Sequence, residues 1–112
     1  MADSVYLGLD IGTSGVKAIL VAPSGDVVAA TTTPLTISTP RPGWAEQHPD
    51  DWWSATVQSI RGALAQRPDL GVAAVGISGQ MHSSVFLDRA GQVVRPALLW
   101  CDGRTTDECA EI

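Results

Sequence analysis

Val5-Tyr6-Leu7-Gly8-Leu9-Asp10, Ile11-Gly12-Thr13-Ser14-Gly15 and Val16-Lys17-Ala18-Ile19-Leu20-Val21 follow one another without a break near the start of the chain. The first run is apolar enough for a strand buried on both faces, and it ends in a carboxylate that is costly to bury without a task. Asp10 therefore reads as a working residue. Gly12 and Gly15 permit a tight turn whose backbone N–H groups point into a concavity, Thr13 and Ser14 add hydroxyls, and Lys17 adds a positive charge just beyond. That set suits an anionic phosphate held beside a metal-binding carboxylate; an ordinary glycine-rich hairpin with a solvated aspartate accounts for the same residues. A strand period resumes directly after the turn, with no helix, and neither G-x-G-x-x-G nor G-x-x-x-x-G-K-[ST] occurs. Rossmann-type and Walker-type sites are thereby disfavoured.

Outward from this hairpin, Pro23-Ser24-Gly25-Asp26 is a turn and Val27 to Thr33 a third strand, completing an antiparallel meander. Residues 34–49 hold four of the seven prolines and read as an extended surface loop. Within it, Trp44-Ala45-Glu46-Gln47-His48-Pro49 reads as a segment pinned by a buried Trp44. Pro49 at a helix start, Asp50 and Asp51 in the first turn, and Trp53, Val57, Ile60 and Leu64 at helical spacing predict a helix to about Gln66, with the Trp52-Trp53 pair in the core. Pro68 ends it. Val72 to Ser78 then predicts a buried strand, reached by a helical crossover and hence parallel to the first. A hairpin over Val85–Val94, turning at Arg89-Ala90-Gly91, and a last strand from Pro96 to Trp100 follow. Thr105 and Glu108 form a capping-box pattern that announces a further helix. With so few residues left it would be marginal alone, since isolated helices need about 12 to 15.

Composition narrows the function classes. The 112 residues suit one domain, and 45% hydrophobic with 17% charged residues describe a globular chain rather than a disordered one. A net charge of −5 with scattered Lys and Arg argues against a nucleic-acid partner. Met1-Ala2-Asp3-Ser4 carries no basic leader, and no apolar run approaches membrane-spanning length, so the expected location is cytoplasmic. Cys101 and Cys109 are then reduced thiols, and with His48 and His82 they match no zinc spacing.

Two further motifs carry chemistry. Gly76-Ile77-Ser78-Gly79-Gln80-Met81-His82-Ser83 lies at the carboxyl end of the predicted parallel strand, where open α/β sheets gather ligands. Gly79 lets the chain turn, Gln80 and His82 supply hydrogen bonds, and Met81 an apolar wall. The segment Leu99-Trp100-Cys101-Asp102-Gly103-Arg104 offers an aromatic face at Trp100, while Asp102 either binds a hydroxyl or pairs with Arg104.

The strand-turn-strand with Asp10 at the end of strand one resembles the superfamily of sugar kinases, actin and heat-shock chaperone ATPases. Asp10 to Lys17, W-x-E-x-x-P at Trp44, G-I-S-G-Q-M-H at Gly76 and W-x-D-x-R at Trp100, in this order, resemble the FGGY carbohydrate kinases, and Gly76–His82 resembles their xylulose-kinase branch. The resemblance implies an α/β, ribonuclease H-like domain with a mixed sheet and flanking helices, of which residues 1–112 are the N-terminal part of domain I. It implies ATP and Mg²⁺ as cofactors and D-xylulose as the sugar. Asp10 is then catalytic and the metal contact; Thr13, Ser14 and Lys17 bind the ATP phosphates; Met81, His82, Trp100 and Asp102 bind the sugar. The family's catalytic base and adenosine pocket fall outside this sequence, so the piece alone is expected to be inactive, and a homodimer is an expectation. Other readings are a kinase for another polyol or sugar acid, a nuclease with Asp10 as the first carboxylate of a two-metal site, and a non-catalytic actin-like nucleotide-binding module.

Overall fold

In the computed structural model, which describes residues 3–112, alternation in the first run becomes a strand with one dry face. Val5, Leu7 and Leu9 of β1 (Asp3–Ile11) are buried, whereas Tyr6 between them and Asp10 just after them are exposed. β2 (Gly15–Val21) and β3 (Val27–Pro34) continue the antiparallel meander. A two-residue β4 (Glu46–Gln47) precedes α1 (Pro49–Gln66). β5 (Leu70–Gly79) returns parallel to β1, giving a mixed sheet in the order β3-β2-β1-β5. β6 (Ala97–Leu98) pairs with β4 in a second, two-stranded sheet, and α2 (Thr106–Glu111) ends the chain. Met1 and Ala2, part of the segment read for a missing leader, lie outside the described residues. Among the described residues, no helix is long and apolar enough to cross a membrane.

Local chemistry sets the start of α1. His48 is the N-cap, its Nδ1 accepting the Asp50 N–H at 3.2 Å, with Pro49 at the first helical positions and Asp50 and Asp51 in the first turn. The buried stripe of the helix only partly matches the one expected: Ile60 and Leu64 pack half-buried against the core. Ala55, Thr56, Ser59 and Ala63 face the sheet, and Trp53 is 70% exposed. Six residues at 100° each put Trp53 about 120° around the helix from Ser59. The fit is close: a Cβ on Gly62 would lie 2.8 Å from Thr31 Cγ2. Small side chains permit that approach, and a tryptophan in the stripe would hold the helix off. Ser59 Oγ, fully buried, donates to the Val16 carbonyl at 2.8 Å and hydrogen-bonds Thr33 Oγ1 at 2.7 Å, satisfying polar groups that would otherwise be costly there.

β5 departs from its sequence reading too. It pairs as predicted, but Val75 and Ile77 are 53% and 69% exposed. The helix packs chiefly over β2 and β3, so burial on both faces is realised by neither β1 nor β5. The hairpin exists through a Leu87–Val93 bridge and mutual backbone bonds, with the Asp88 carboxylate accepting the Ala90 and Gln92 N–H groups. The capping box does not form: Thr105 is the N-cap of α2 but makes no side-chain capping bond.

An exposed apolar strand at a sheet edge recruits partners. Residues 1–112 expressed alone are expected to self-associate, and Ile77→Lys to reduce it, as read by static light scattering across a concentration series. A monodisperse monomer with the native Ile77 would contradict this.

Candidate functional site

Parallel pairing sets Asp10 beside Ser78 and Ile11 beside Gly79. The chain then turns at Gln80, whose N–H donates to the Ile11 carbonyl at 2.9 Å. The strands run so close that a Cβ on Gly79 would lie 3.1 Å from that carbonyl oxygen. Residues paired in register share a face, so Asp10, Ser78 and Lys17, the β2 partner of Asp10, project opposite the face that carries Leu9 and α1. Ser78 Oγ donates to Asp10 Oδ1 at 3.1 Å, and the carboxylate remains exposed.

Two clefts meet at Asp10. One, of about 520 Å³, runs over the open sheet face past Lys17, Ile19 and Gly76. The other, of about 420 Å³, is walled by Gly12, Thr13, Gln80, Met81, His82 and Trp100. Lys17 thus shares one cleft with Asp10, while Thr13, Met81, His82 and Trp100 gather in the second. Ser14 stands exposed on the turn, its carbonyl accepting the Leu35 N–H at 2.9 Å. His82 adopts φ 63°, the one positive-φ non-glycine among the described residues. Such a backbone persists only where its surroundings hold it, and it is concentrated at functional sites.

Hydrogen bonds tie the turn to the second cleft. Trp100 Nε1 donates to Thr13 Oγ1 at 3.0 Å, and Thr13 Oγ1 donates to Gln80 Oε1 at 3.2 Å. Gln80 Nε2 donates to the Gly12 carbonyl at 3.4 Å and to Gln47 Oε1 at 3.2 Å. Gln47 Nε2 donates to the Thr13 carbonyl at 2.7 Å, and Trp52 Nε1 to Gln47 Oε1 at 2.9 Å. Sequence reasoning missed Gln47 and the polar role of Trp52, which it placed in the core. The only signal was a polar residue immediately before a helix N-cap.

Asp102 lies apart from both clefts. Its Oδ2 accepts the Ala45 N–H at 2.7 Å and Arg104 Nη2 at 2.7 Å, and its Oδ1 accepts the Arg104 N–H at 2.9 Å. The Arg104 guanidinium holds this carboxyl well below the usual carboxylate range, against the opposing effect of burial and with help from the two backbone N–H groups. Arg104 also reaches Glu46 at 3.3 Å and lies 3.6 Å over the ring of the half-buried Trp44. The loop is therefore pinned by Trp44 as expected, through a stacked cation. Of the two sequence readings of Asp102, the geometry realises the pairing with Arg104.

Residues 5–112 match the N-terminal domain of the FGGY family of carbohydrate kinases. The chain belongs to that family. The xylulose kinase of Escherichia coli (strain K12) is 50% identical over 105 residues, an alignment covering 94% of this chain and 22% of that protein. A glycerol kinase of Bradyrhizobium diazoefficiens is 37% identical over 112 residues, covering 97% of the chain and 22% of the relative. The crystal structure of xylulose kinase from Rhodospirillum rubrum superposes with a TM-score of 0.91 at 38% identity, over 96% of this chain and 22% of that one. The chain thus spans about a fifth of the length of these relatives. The expected sugar-kinase fold is the observed one, and FGGY membership sets the Asp10 turn in a kinase domain rather than in the two-metal nuclease considered from sequence.

Breaking the Asp102 cluster of this FGGY domain is expected to be costly, because it leaves Arg104 half-buried with Glu46 alone. Removing Asp102 leaves the Arg104 charge only partly compensated, so Asp102→Ala is expected to lower the Tm, with the surviving Glu46 contact and the Trp44 stacking limiting the loss. The folded-state pKa is depressed, so the contribution is complete above the unfolded value near about 4 and is lost as pH falls below it. The Tm gap between wild-type and Asp102→Ala full-length protein should be constant near neutrality and narrow in acid. A gap independent of pH would contradict the ion-pair account.

Proposed function

We propose that the chain is the N-terminal part of an ATP-dependent kinase that transfers the γ-phosphate to D-xylulose, giving D-xylulose 5-phosphate. The observation that carries this reading is Asp10 at the junction of two clefts, one holding Lys17 and the other Met81, His82 and Trp100. Phosphoryl transfer needs that layout, because the nucleotide phosphates and the accepting hydroxyl approach one point from two sides.

Asp10 is suited to Mg²⁺. Its exposed carboxylate spends one oxygen on Ser78 and keeps the other free, and Mg²⁺ retains several waters while using one or two carboxylates plus substrate phosphates. Bound there, the ion would neutralise charge on the phosphates. Lys17 adds a point charge on the same face, and the turn at Thr13 and Ser14 offers backbone N–H groups and the Ser14 hydroxyl. The Thr13 hydroxyl is engaged by Trp100 and Gln80, so it orders the turn from inside. In the second cleft, the exposed faces of Met81 and Trp100 pack against carbon-bound hydrogens of the sugar, and His82 hydrogen-bonds a hydroxyl. The sugar oxygen attacks the γ-phosphorus as the bond to ADP breaks, and its proton passes to a base outside these residues. Asp102 contributes by bracing the loop that carries Trp100. The 50% identity to a xylulose kinase supports D-xylulose over another polyol.

Sugar-dependent ADP release by the full-length protein, with D-xylulose, glycerol and gluconate compared, tests the reading. The highest kcat/KM is expected for D-xylulose; preference for another sugar would move the assignment within the family, and no turnover with any would favour a non-catalytic module. Asp10→Asn should lower kcat by about 100-fold or more, since it weakens charge stabilisation during transfer, while calorimetric D-xylulose binding stays nearly intact. His82→Ala should raise the KM for D-xylulose several-fold, as loss of one hydrogen bond costs about 0.5–1.5 kcal/mol; a defect confined to ATP would count against its place at the sugar.

A further inference from the structure

Gln47 is 3% exposed, and its carboxamide joins the start of α1 to two segments distant in sequence. Its oxygen accepts from Trp52 in the first turns of α1 and from Gln80 just past β5, filling both lone pairs, and its nitrogen donates to the Thr13 carbonyl in the β1–β2 turn. The backbone of Gln47 is itself held, paired in register with Ala97 of β6. No peptide among the described residues is cis. A trans peptide sets its N–H opposite its C=O, so drawing the Thr13 carbonyl toward Gln47 turns the Ser14 N–H the other way.

We propose that Gln47 is a positioning residue for the phosphate-facing turn: by holding the Thr13 carbonyl it orients the Ser14 N–H as an anion donor and keeps the turn in register with Gln80. The inference rests on the kinase reading above and adds a residue that acts on ATP through the turn, never touching it. It differs from a packing role in what it predicts. A packing residue changes stability alone, whereas a residue that aims a donor changes nucleotide affinity selectively.

The test uses the full-length protein. Gln47→Glu is nearly isosteric and keeps the acceptor for Trp52 and Gln80, but it cannot donate to the Thr13 carbonyl; Gln47→Leu removes every bond. Calorimetric titration with MgATP should show Kd about tenfold weaker for Gln47→Glu, with the KM for D-xylulose within about twofold of wild type, as expected for misplacement of one donor group. Amide hydrogen exchange over residues 12–15 should be faster in both variants, with β2 and β3 unchanged. Should Gln47→Leu fail to fold, Gln47→Glu alone decides. Unaltered ATP affinity in Gln47→Glu overturns the proposal, even with a lowered Tm. Should wild-type protein bind ATP but fail to phosphorylate D-xylulose, the sugar assignment falls and the Gln47 measurement stands. In a protein that bound no ATP, the kinase reading falls and exchange decides, unchanged exchange over residues 12–15 overturning the role of Gln47.

Discussion

Parallel pairing of β1 with β5 is the constraint on which the site depends. It brings Asp10 to Ser78 across 68 residues of chain, and no local turn can do this, since parallel strands require a crossover. α1 is that crossover, and its small-residue stripe lets it lie close against β2 and β3. The helix carries the chain back to the β1 edge, and the β1–β5 register then sets where Gln80, Met81 and His82 stand relative to the turn after β1. A bulkier stripe would preserve the helix and lift it off β2 and β3.

Polar groups at the strand ends convert adjacency into fixed geometry. A buried amide left without partners costs about 1–3 kcal/mol, so the exchange of bonds among Gln47, Gln80, Thr13 and Trp52 favours one arrangement over its neighbours. Networks of this kind specify a conformation more than they stabilise a fold. The Asp102–Arg104–Glu46 cluster plays the equivalent part for the loop carrying Trp100, with Arg104 also stacked on Trp44. Both sides of the cleft at Asp10 are thus held by hydrogen-bonded frameworks, while Asp10, Lys17 and His82 stay exposed to solvent. That division suits groups that must meet charged and polyhydroxylated ligands.

Periodicity, turn residues and helix signals determined the order of elements: the meander, the helix from Pro49 to Gln66, the return strand and the candidate site residues at strand ends were all legible in the sequence, because each rests on local spacing. Tertiary structure alone decided which faces those elements bury. Trp53 and the β5 valine and isoleucine positions look like core by composition, yet exposure depends on where α1 lies over the sheet. The choice for Asp102 between a ligand and Arg104 depended on the Ala45 N–H reaching it across 57 residues. Gln47 carried only the faint signal of a polar residue before a helix N-cap, since two of its three partners lie 33 and 34 residues away and come near only once β1 and β5 have paired.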